Sequence, residues 1–254
     1  MNVNQAGEFL VFLNRLPVAS LIAVIGGGGK TSLLEAAEAG RHRAGLCSLV
    51  TVTTRLGRWQ FPGLNTIESA NITEALQALP LAEKGERILL TGPPMTSDSA
   101  LNKYNGLPLA WFPELRRAAG RETMFLVEAD GSAGRPLKAH RAYEPVLPPE
   151  TDFVVAVIGL SVLIRPWPET VHCPEIMAEY LPLPEPTRPL SPLMVATFIG
   201  KAWSRYRPGL IFLNQADLLD SAAGQEAAGQ LASFLSGFGF KVMTGSFKEF
   251  SFAD

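Results

Sequence analysis

The feature that most constrains the fold is a series of short, nearly uninterrupted apolar runs, each followed by a polar or glycine-rich loop. The runs cover 21–25, 46–53, 87–90, 124–127, 153–158, 210–213 and 240–244. Continuous rather than alternating hydrophobicity is typical of strands that helices cover on both faces. Helical stretches are predicted between several runs, at 31–43, 73–78, 113–119, 193–206 and 222–238. This alternation predicts an α/β fold with a mainly parallel, doubly wound sheet.

The chain is long and apolar enough for one large α/β domain. Its 254 residues are 47 % hydrophobic, so we expect a single domain over 1–254. The segment 166–192 differs from the rest, because it holds eight of the 20 prolines and proline lacks the backbone donor that regular structure needs. We expect either a long surface connection or an insertion that acts as a lid or partner-binding segment.

Charge and cysteine content narrow the class of partner. The formal net charge of −2 gives no electrostatic case for nucleic acid or an anionic membrane. No apolar run approaches the roughly 20 residues that span a bilayer. The start of the chain is predicted to form an amphipathic helix rather than a signal peptide. Cys47 and Cys173 are isolated from each other, which is typical of a protein from the reducing cytoplasm.

The first apolar run leads into a glycine-rich turn and then a predicted helix. The turn and helix start read Gly26, Gly27, Gly28, Gly29, Lys30, Thr31 and Ser32. Glycines let amide groups converge on phosphate oxygens, and a helix N-terminus adds partial positive charge. We therefore predict the phosphate loop of a three-layer, P-loop NTPase-like fold, with Lys30 on the terminal phosphates and the Thr31 hydroxyl on Mg²⁺. Because Val24 stands where the common pattern has its first glycine, this loop is two residues shorter and resembles that of Mur-type ligases.

Polar residues follow the second run, where Thr53, Thr54 and Arg55 end the strand. Ligands of open α/β sheets bind at the carboxyl ends of the strands, so these residues are expected beside the phosphate loop. One interpretation places a threonine hydroxyl on the metal or γ-phosphate and Arg55 on phosphate or substrate. The other takes the threonines as ordinary strand residues.

An acidic strand end follows the run 124–127, in the sequence MFLVEADGSAGRPLKAH. Glu128 and Asp130 occupy the place of a Walker B carboxylate, and their spacing of two puts both on one side of the strand. We expect both to face Mg²⁺, one holding the metal while the other orients or deprotonates a nucleophile. The loop then supplies Arg135, Lys138 and His140, donors suited to a second anionic group.

The run 210–213 ends in Asn214 and Asp217, spaced as in the N-K-x-D motif that recognises guanine in P-loop GTPases. Gln215 stands where that motif has lysine, which weakens the case for guanine. Base recognition and an ordinary strand-to-loop turn, in which Asn and Asp are favoured, both remain open.

Two further segments are weaker candidates. His172, Cys173 and Glu175 are possible metal ligands, but no second cluster of ligand residues accompanies them. The segment 91–106 follows another strand and is expected to close over the site, with Lys103 as a contact.

Together these motifs resemble, in order and spacing, the selenium-dependent hydroxylase accessory proteins, a family called YqeC-like. The resemblance extends over about 15–245, and its block E-A-D-G-x-A-G-R-P-L-K-A-H is specific. It implies a cytoplasmic P-loop protein that binds ATP or GTP and acts in the maturation of selenium-dependent molybdenum hydroxylases. A molybdenum hydroxylase or its cofactor would then be the partner. Cys173 and Gln215 depart from the pattern, since basic residues are expected at both positions.

Three functions are compatible with these motifs. The first is an Mg²⁺-dependent nucleotide hydrolase or transferase that serves as an accessory factor. The second is a nucleotide-gated binding module or chaperone with negligible turnover, in which the segment 166–192 changes state. The third is an ATP-dependent ligase, which only the short phosphate loop suggests.

Overall fold

The computed structural model describes residues 5–95, 102–119 and 121–248, and within these ranges the central element is an eight-stranded sheet. Its strands are β1 Leu21–Gly26, β2 Ser48–Val52, β3 Asn65–Glu68, β4 Ile88–Thr91, β5 Met124–Glu128, β6 Phe153–Gly159, β7 Leu210–Asn214 and β8 Val242–Thr244. The strand order is β8-β7-β6-β1-β5-β2-β4-β3, and every neighbouring pair is parallel. The predicted parallel, doubly wound sheet is therefore confirmed.

Helices cover both faces of this sheet. They are α1 Ala6–Asn14, α2 Lys30–Arg43, α3 Ile72–Leu76, α4 Leu79–Glu83, α5 Phe112–Ala118, α6 Trp167–Thr170, α7 Pro174–Ala178, α8 Pro192–Ala202 and α9 Ala222–Gly237. Ile22 and Val24 of β1 pack with α1 and α2 on one face, whereas Ala23 and Ile25 face the layer that contains α8 and α9. The result is the three-layer architecture expected of a P-loop NTPase-like fold.

Most predicted elements agree with the structure within a few residues, and the differences have physical causes. The predicted helix 73–78 corresponds to α3, which ends at Leu76, and a separate short helix, α4, follows with Pro80 in its first turn. The predicted helix 193–206 ends at Ala202 and continues as a 3-10 turn over Ser204–Tyr206. None of the helices within the described ranges is long and apolar enough to cross a membrane.

The proline-rich segment packs against the core of the domain. It contains α6, α7 and the short strand Val171–His172, which pairs in parallel with Leu137–Lys138. Val171 and Met177 are completely buried in the same hydrophobic cluster as α8. Much of the remainder is irregular, as its proline content predicts. Its role as a lid or partner-binding segment stays a prediction.

The strand order changes direction at β1, so a crevice is expected at the carboxyl end of this strand. From β1, the chain continues to one side of the sheet through β2 and later to the other side through β6. Such a reversal of strand order is where open α/β sheets bind their ligands, beyond the carboxyl ends of the strands. The loop after β1 therefore lies between the ends of β5 and β6, where the predicted acidic residues also emerge.

Candidate functional site

The phosphate loop is a tight turn that only glycine can make at several positions. Gly26, Gly28 and Gly29 have φ angles of +98°, +77° and +118°, a region that side chains with a Cβ rarely adopt. A Cβ at Gly28 would also collide with the backbone of Gly159, and one at Gly29 with the side chain of Asn214. The loop thus needs glycine both for its conformation and for its close approach to β6 and β7.

The N-terminus of α2 presents a row of backbone donors. Within the described ranges, the N–H groups of residues 28–32 have no protein acceptor. Gly29 is the N-cap of α2 and offers no side chain to satisfy them. The first N–H groups of any helix lack intrahelical partners and carry partial positive charge. This row of donors, which ends at the half-buried Ser32, fits the oxygens of an anion such as a phosphate.

Lys30 begins α2 and turns back under the loop. Its ammonium Nζ donates to the carbonyl of Gly26 at 2.9 Å and lies 3.1 Å from Asp130 Oδ1 and 3.8 Å from Glu128 Oε1. Only 4 % of the residue is exposed. Burial alone would lower the pKa of Lys30, but the charges of Asp130 and Glu128 outweigh it and raise the pKa above its ordinary value. Lys30 is therefore a buried, fully charged ammonium beside the row of donors.

Asp130 lies just beyond β5 and is completely buried. Its Oδ2 accepts from the backbone N–H of Gly26 at 2.8 Å and contacts His140 Nε2 at 2.5 Å. Burial would raise the pKa of this carboxyl group, but Lys30 and then the contact with His140 hold the pKa well below its usual range. Asp130 is thus a compensated anion that joins the phosphate loop to the loop after β5.

Glu128, the last residue of β5, differs from Asp130 in its surroundings. Its Oε2 accepts from the Thr31 hydroxyl at 3.0 Å, and Thr31 Oγ1 in turn accepts from Gln60 Nε2 at 2.9 Å. Burial raises the pKa of Glu128 in spite of the nearby Lys30. The predicted magnesium residues Thr31, Glu128 and Asp130 are therefore brought together around Lys30. The sequence contains no local signal for Gln60, which reaches Thr31 from the loop after β2.

The threonines at the end of β2 lie close to this site, but one of them has another partner. The Thr53 hydroxyl donates to the carbonyl of Val146 at 2.7 Å, and the Thr53 backbone N–H donates to the carbonyl of Glu128. Thr54 is half-buried and packs against the backbone of Gly106, whereas Arg55 is exposed. Thr53 thus ties the loop before β6 to the end of β2.

The basic residues after β5 are used mainly within the protein. Arg135 Nη1 donates to the carbonyl of Pro168, and the fully buried Lys138 forms an ion pair with Glu144 at 2.7 Å. His140 is buried against Asp130, with its ring 5.4 Å from that of Trp203. Of the three residues that the sequence offers as a second anion site, Arg135 thus contacts the proline-rich segment, Lys138 pairs within the loop after β5, and His140 contacts Asp130.

The end of β7 also contacts the phosphate loop. Asn214 Nδ2 donates to the carbonyl of Gly28 at 2.8 Å, so its amide supports the loop from the side. Gln215 accepts from the Ser161 hydroxyl at 2.7 Å. Asp217 accepts from the Ser246 hydroxyl at 2.7 Å and lies 3.7 Å from Lys248 Nζ.

The remaining candidates lie in two short strands and at the start of α7. His172 pairs in register with Lys138, and burial lowers the pKa of its imidazole. Cys173 is buried and Glu175 lies in the first turn of α7, and within the described ranges no group of three or more His, Cys, Asp and Glu residues could hold a metal. Lys103 is exposed in a strand that pairs with Leu56–Gly57, and the neighbouring positions 96–101 of the expected closing segment lie outside the described residues.

Comparisons with known proteins place the chain in a family. The family model described as YqeC protein matches residues 22–175, a span that contains the phosphate loop, β5 and the loop after β5. A curated relative, "Uncharacterized protein YqeC" of Escherichia coli (strain K12), is 30 % identical over an alignment of 147 positions that covers 55 % of this chain and 52 % of the relative. The matched part of the chain thus spans about half the length of that relative.

Among solved structures, the signal recognition particle 54 kDa protein from Aeropyrum pernix K1, crystallised in complex with GDP, aligns with 95 % of this chain and 46 % of its own. The TM-score is 0.41 at 13 % identity. Since the family model covers more than half of the 254 residues, the chain belongs to the YqeC family.

Proposed function

We propose that this protein binds ATP or GTP together with Mg²⁺ and hydrolyses the nucleotide or transfers its phosphoryl group. The observation that carries this proposal is the convergence of Lys30, Glu128 and Asp130 beside a row of backbone N–H groups that have no acceptor among the residues the structure describes. Fixed donors and a buried ammonium stabilise the negative charge that develops on a transferring phosphoryl group.

The residues of the site fit both parts of a magnesium nucleotide. The N–H groups of residues 28–32 and the Lys30 ammonium would hold phosphate oxygens. The Thr31 hydroxyl and one carboxylate of the pair Glu128 and Asp130 would supply oxygen ligands of the kind that Mg²⁺ prefers in proteins. Bound there, the cation would neutralise phosphate charge. Lys30 now lies within 4 Å of both carboxylates, and a cation would free it to contact phosphate.

Base recognition belongs to the same proposal, with Asn214 and Asp217 as its residues. Asn214 already contacts the phosphate loop through Gly28, which favours a role in shaping the loop. Asp217 lies three residues further on and retains carboxylate oxygens that can accept hydrogen bonds from a base. The choice between ATP and GTP depends on which base groups these oxygens meet.

The wider role that we propose is that of a cytoplasmic accessory factor in the maturation of selenium-dependent molybdenum hydroxylases. This context is what the resemblance of the sequence motifs implies, and membership of the YqeC family agrees with that resemblance. A molybdenum hydroxylase or its cofactor would be the partner.

One set of contacts also favours the second candidate, a nucleotide-gated binding module. The carbonyl of Pro136 accepts from the N–H of Gly159, against which Gly28 packs. A few residues further on, Ala139 N–H donates to the carbonyl of His172. A change in the phosphate loop would therefore be transmitted to the proline-rich segment over a short path.

The test is a Lys30→Ala variant compared with wild type in the presence of ATP or GTP and Mg²⁺. Wild type should gain thermal stability with nucleotide, and Lys30→Ala should lose that gain because the buried ammonium is absent. Lys84→Ala is the matched control. Lys84 is exposed and precedes the N-terminal end of β4, whereas the phosphate loop follows the C-terminal end of β1. Unchanged nucleotide stabilisation in Lys30→Ala would refute the proposal.

Phosphate release separates the enzyme from the gated module. An enzyme releases phosphate from ATP or GTP on its own, with a rate that Lys30→Ala reduces at least 100-fold, the order of magnitude seen when one oxyanion donor is removed. A gated module hydrolyses nucleotide only when a molybdenum hydroxylase is added.

A further inference from the structure

We infer that the two carboxylates at the end of β5 have separate tasks. Asp130, held by His140, is a positioning residue that fixes the phosphate loop. Of the two carboxylates, only Glu128 faces the cation, and it does so together with the Thr31 hydroxyl. The cation half of this inference rests on the proposed function. The positioning half concerns contacts of the protein by itself and does not depend on it.

The surroundings of Asp130 leave little room for a metal. Its Oδ2 is shared by the N–H of Gly26 at 2.8 Å and His140 Nε2 at 2.5 Å, and Oδ1 lies 3.1 Å from Lys30 Nζ. No part of Asp130 is exposed. Mg²⁺ dehydrates reluctantly and usually keeps several waters, so its ligands must border a space that water can enter. Asp130 does not meet that requirement.

Two aromatic rings hold the imidazole of His140 so that its Nε2 contacts Asp130. Its ring packs 5.4 Å from the ring of Trp203 and 5.1 Å from the ring of Tyr206, and 5 % of the residue is exposed. Nδ1 is buried without a hydrogen-bond partner in the described part of the chain. Only a proton on Nε2 makes the 2.5 Å contact with a carboxylate favourable. His140 is therefore a donor to Asp130.

Glu128 is also buried, with 7 % of the residue exposed, but it has fewer partners than Asp130. Its contacts are the Thr31 hydroxyl at 3.0 Å and the more distant Lys30 ammonium at 3.8 Å. A carboxylate has about four lone-pair sites, so most of those on Glu128 remain available. The Thr31 hydroxyl oxygen accepts from Gln60 and keeps a second lone pair. Glu128 and Thr31 thus form a pair of neighbouring oxygen ligands beside the first turn of α2.

The positioning half is tested without nucleotide, by hydrogen exchange of the Gly26 amide. Loss of a hydrogen bond to a charged group should speed this exchange by roughly ten-fold or more. We expect that effect in Asp130→Ala and His140→Phe, which fills the space between the two aromatic rings but cannot donate. His140→Gln, whose amide can donate from the position of Nε2, should restore slow exchange, and Glu128→Gln should leave it unchanged. Equal exchange in wild type and His140→Phe, or failure of His140→Gln to rescue, would overturn this half.

The cation half is tested by calorimetric titration with ADP, once with Mg²⁺ and once with EDTA. In Glu128→Gln, binding with EDTA should remain and the gain from Mg²⁺ should be lost. In His140→Phe, binding should weaken by a similar factor under both conditions, so the gain from Mg²⁺ is kept. Loss of the gain in His140→Phe, or its retention in Glu128→Gln, would overturn the assignment of the cation to Glu128.

The two experiments also separate this inference from the function on which it partly rests. If wild type binds no nucleotide in either buffer, the proposed function fails and the cation half fails with it. The exchange of Gly26 still decides the positioning half, because it is measured on the free protein. If wild type binds ADP with a gain from Mg²⁺ and the variants behave alike, only the division of roles is refuted.

Discussion

The two carboxylates beside the phosphate loop, Asp130 and Glu128, differ in how well their negative charge is compensated. On the side of Asp130, every charge has a partner: the carboxylate meets Lys30, His140 and the Gly26 amide within a completely buried cluster. On the side of Glu128, the carboxylate has one hydroxyl donor and a distant ammonium, and burial raises its pKa. The first arrangement stabilises the fold, whereas the second retains unsatisfied charge, as sites that bind a ligand commonly do.

The largest effect should come from removal of the compensated carboxylate. Asp130→Ala leaves Lys30 and the Gly26 N–H without their main buried partner, and breaking one side of a buried ion pair costs about 3–5 kcal/mol. We expect a loss of that size in the free energy of unfolding, measured by urea denaturation at pH 7. Asp220→Ala is the control, because Asp220 is exposed and should change stability by less than about 0.5 kcal/mol.

The pH dependence of this loss provides a second measurement. The pKa of Asp130 in the folded protein lies below its ordinary value, so its contribution is complete above the unfolded pKa of about 3.9. It disappears as the pH falls through the folded pKa. The gap between wild type and Asp130→Ala should therefore be constant above about pH 5 and narrow toward pH 3. A gap that stays constant under acid would mean that the carboxylate charge contributes nothing.

Glu128 should respond in the opposite direction, with a smaller effect. Because the pKa of Glu128 in the folded protein is raised, the free energy of unfolding falls as the pH rises from the unfolded pKa of about 4.3 to the folded pKa. Below the unfolded pKa this loss of stability is absent. Glu128→Gln should therefore stabilise the free protein at pH 8 by about 0.5–2 kcal/mol. Below pH 4 it should match wild type.

The control for this change is Glu122→Gln at the other end of β5, where the side chain is exposed. It should leave thermal and urea stability unchanged at both pH values. If Glu128→Gln destabilises the protein at pH 8, the attraction of Lys30 outweighs burial, and the contrast between the two carboxylates disappears.

The sequence predicts the parts of this contrast that depend on local pattern. The strands were predictable because continuous apolar runs mark buried parallel strands, and the neighbourhood of Lys30, Glu128 and Asp130 follows from the parallel arrangement of strand ends. The edge strand β3 was not predicted, since its residues are exposed or half-buried and it pairs with only one neighbour.

The missing parts depend on contacts between distant segments. Asn214 reaches Gly28 across 186 residues, and Gln60 reaches Thr31 across 29. No periodicity or motif marks such pairs, because packing of whole elements brings them together. The same holds for His140, which appears in the sequence as one of several basic residues after β5 but lies buried against Asp130 in the structure.

A substitution of Gln60 tests the Glu128 side of the phosphate loop and should have the smallest effect. Its Nε2 donates to Thr31 Oγ1 at 2.9 Å and its Oε1 accepts from the Gly57 N–H at 2.8 Å, so Gln60→Met removes two hydrogen bonds while it keeps the side-chain volume. Each such bond contributes about 0.5–1.5 kcal/mol when buried, and the half-buried position reduces this, so we expect a loss of about 1 kcal/mol. The Thr31 hydroxyl would also be free to rotate away from Glu128, which should weaken the gain of ADP binding from Mg²⁺ by a few-fold. Arg58→Ala removes a surface ion pair with Glu68 at 3.8 Å and a cation–π contact with the ring of Tyr104, but no contact with Thr31, so it should leave the gain from Mg²⁺ unchanged. If Gln60→Met lowers stability but leaves the gain from Mg²⁺ intact, Thr31 is not held in place for the cation by Gln60.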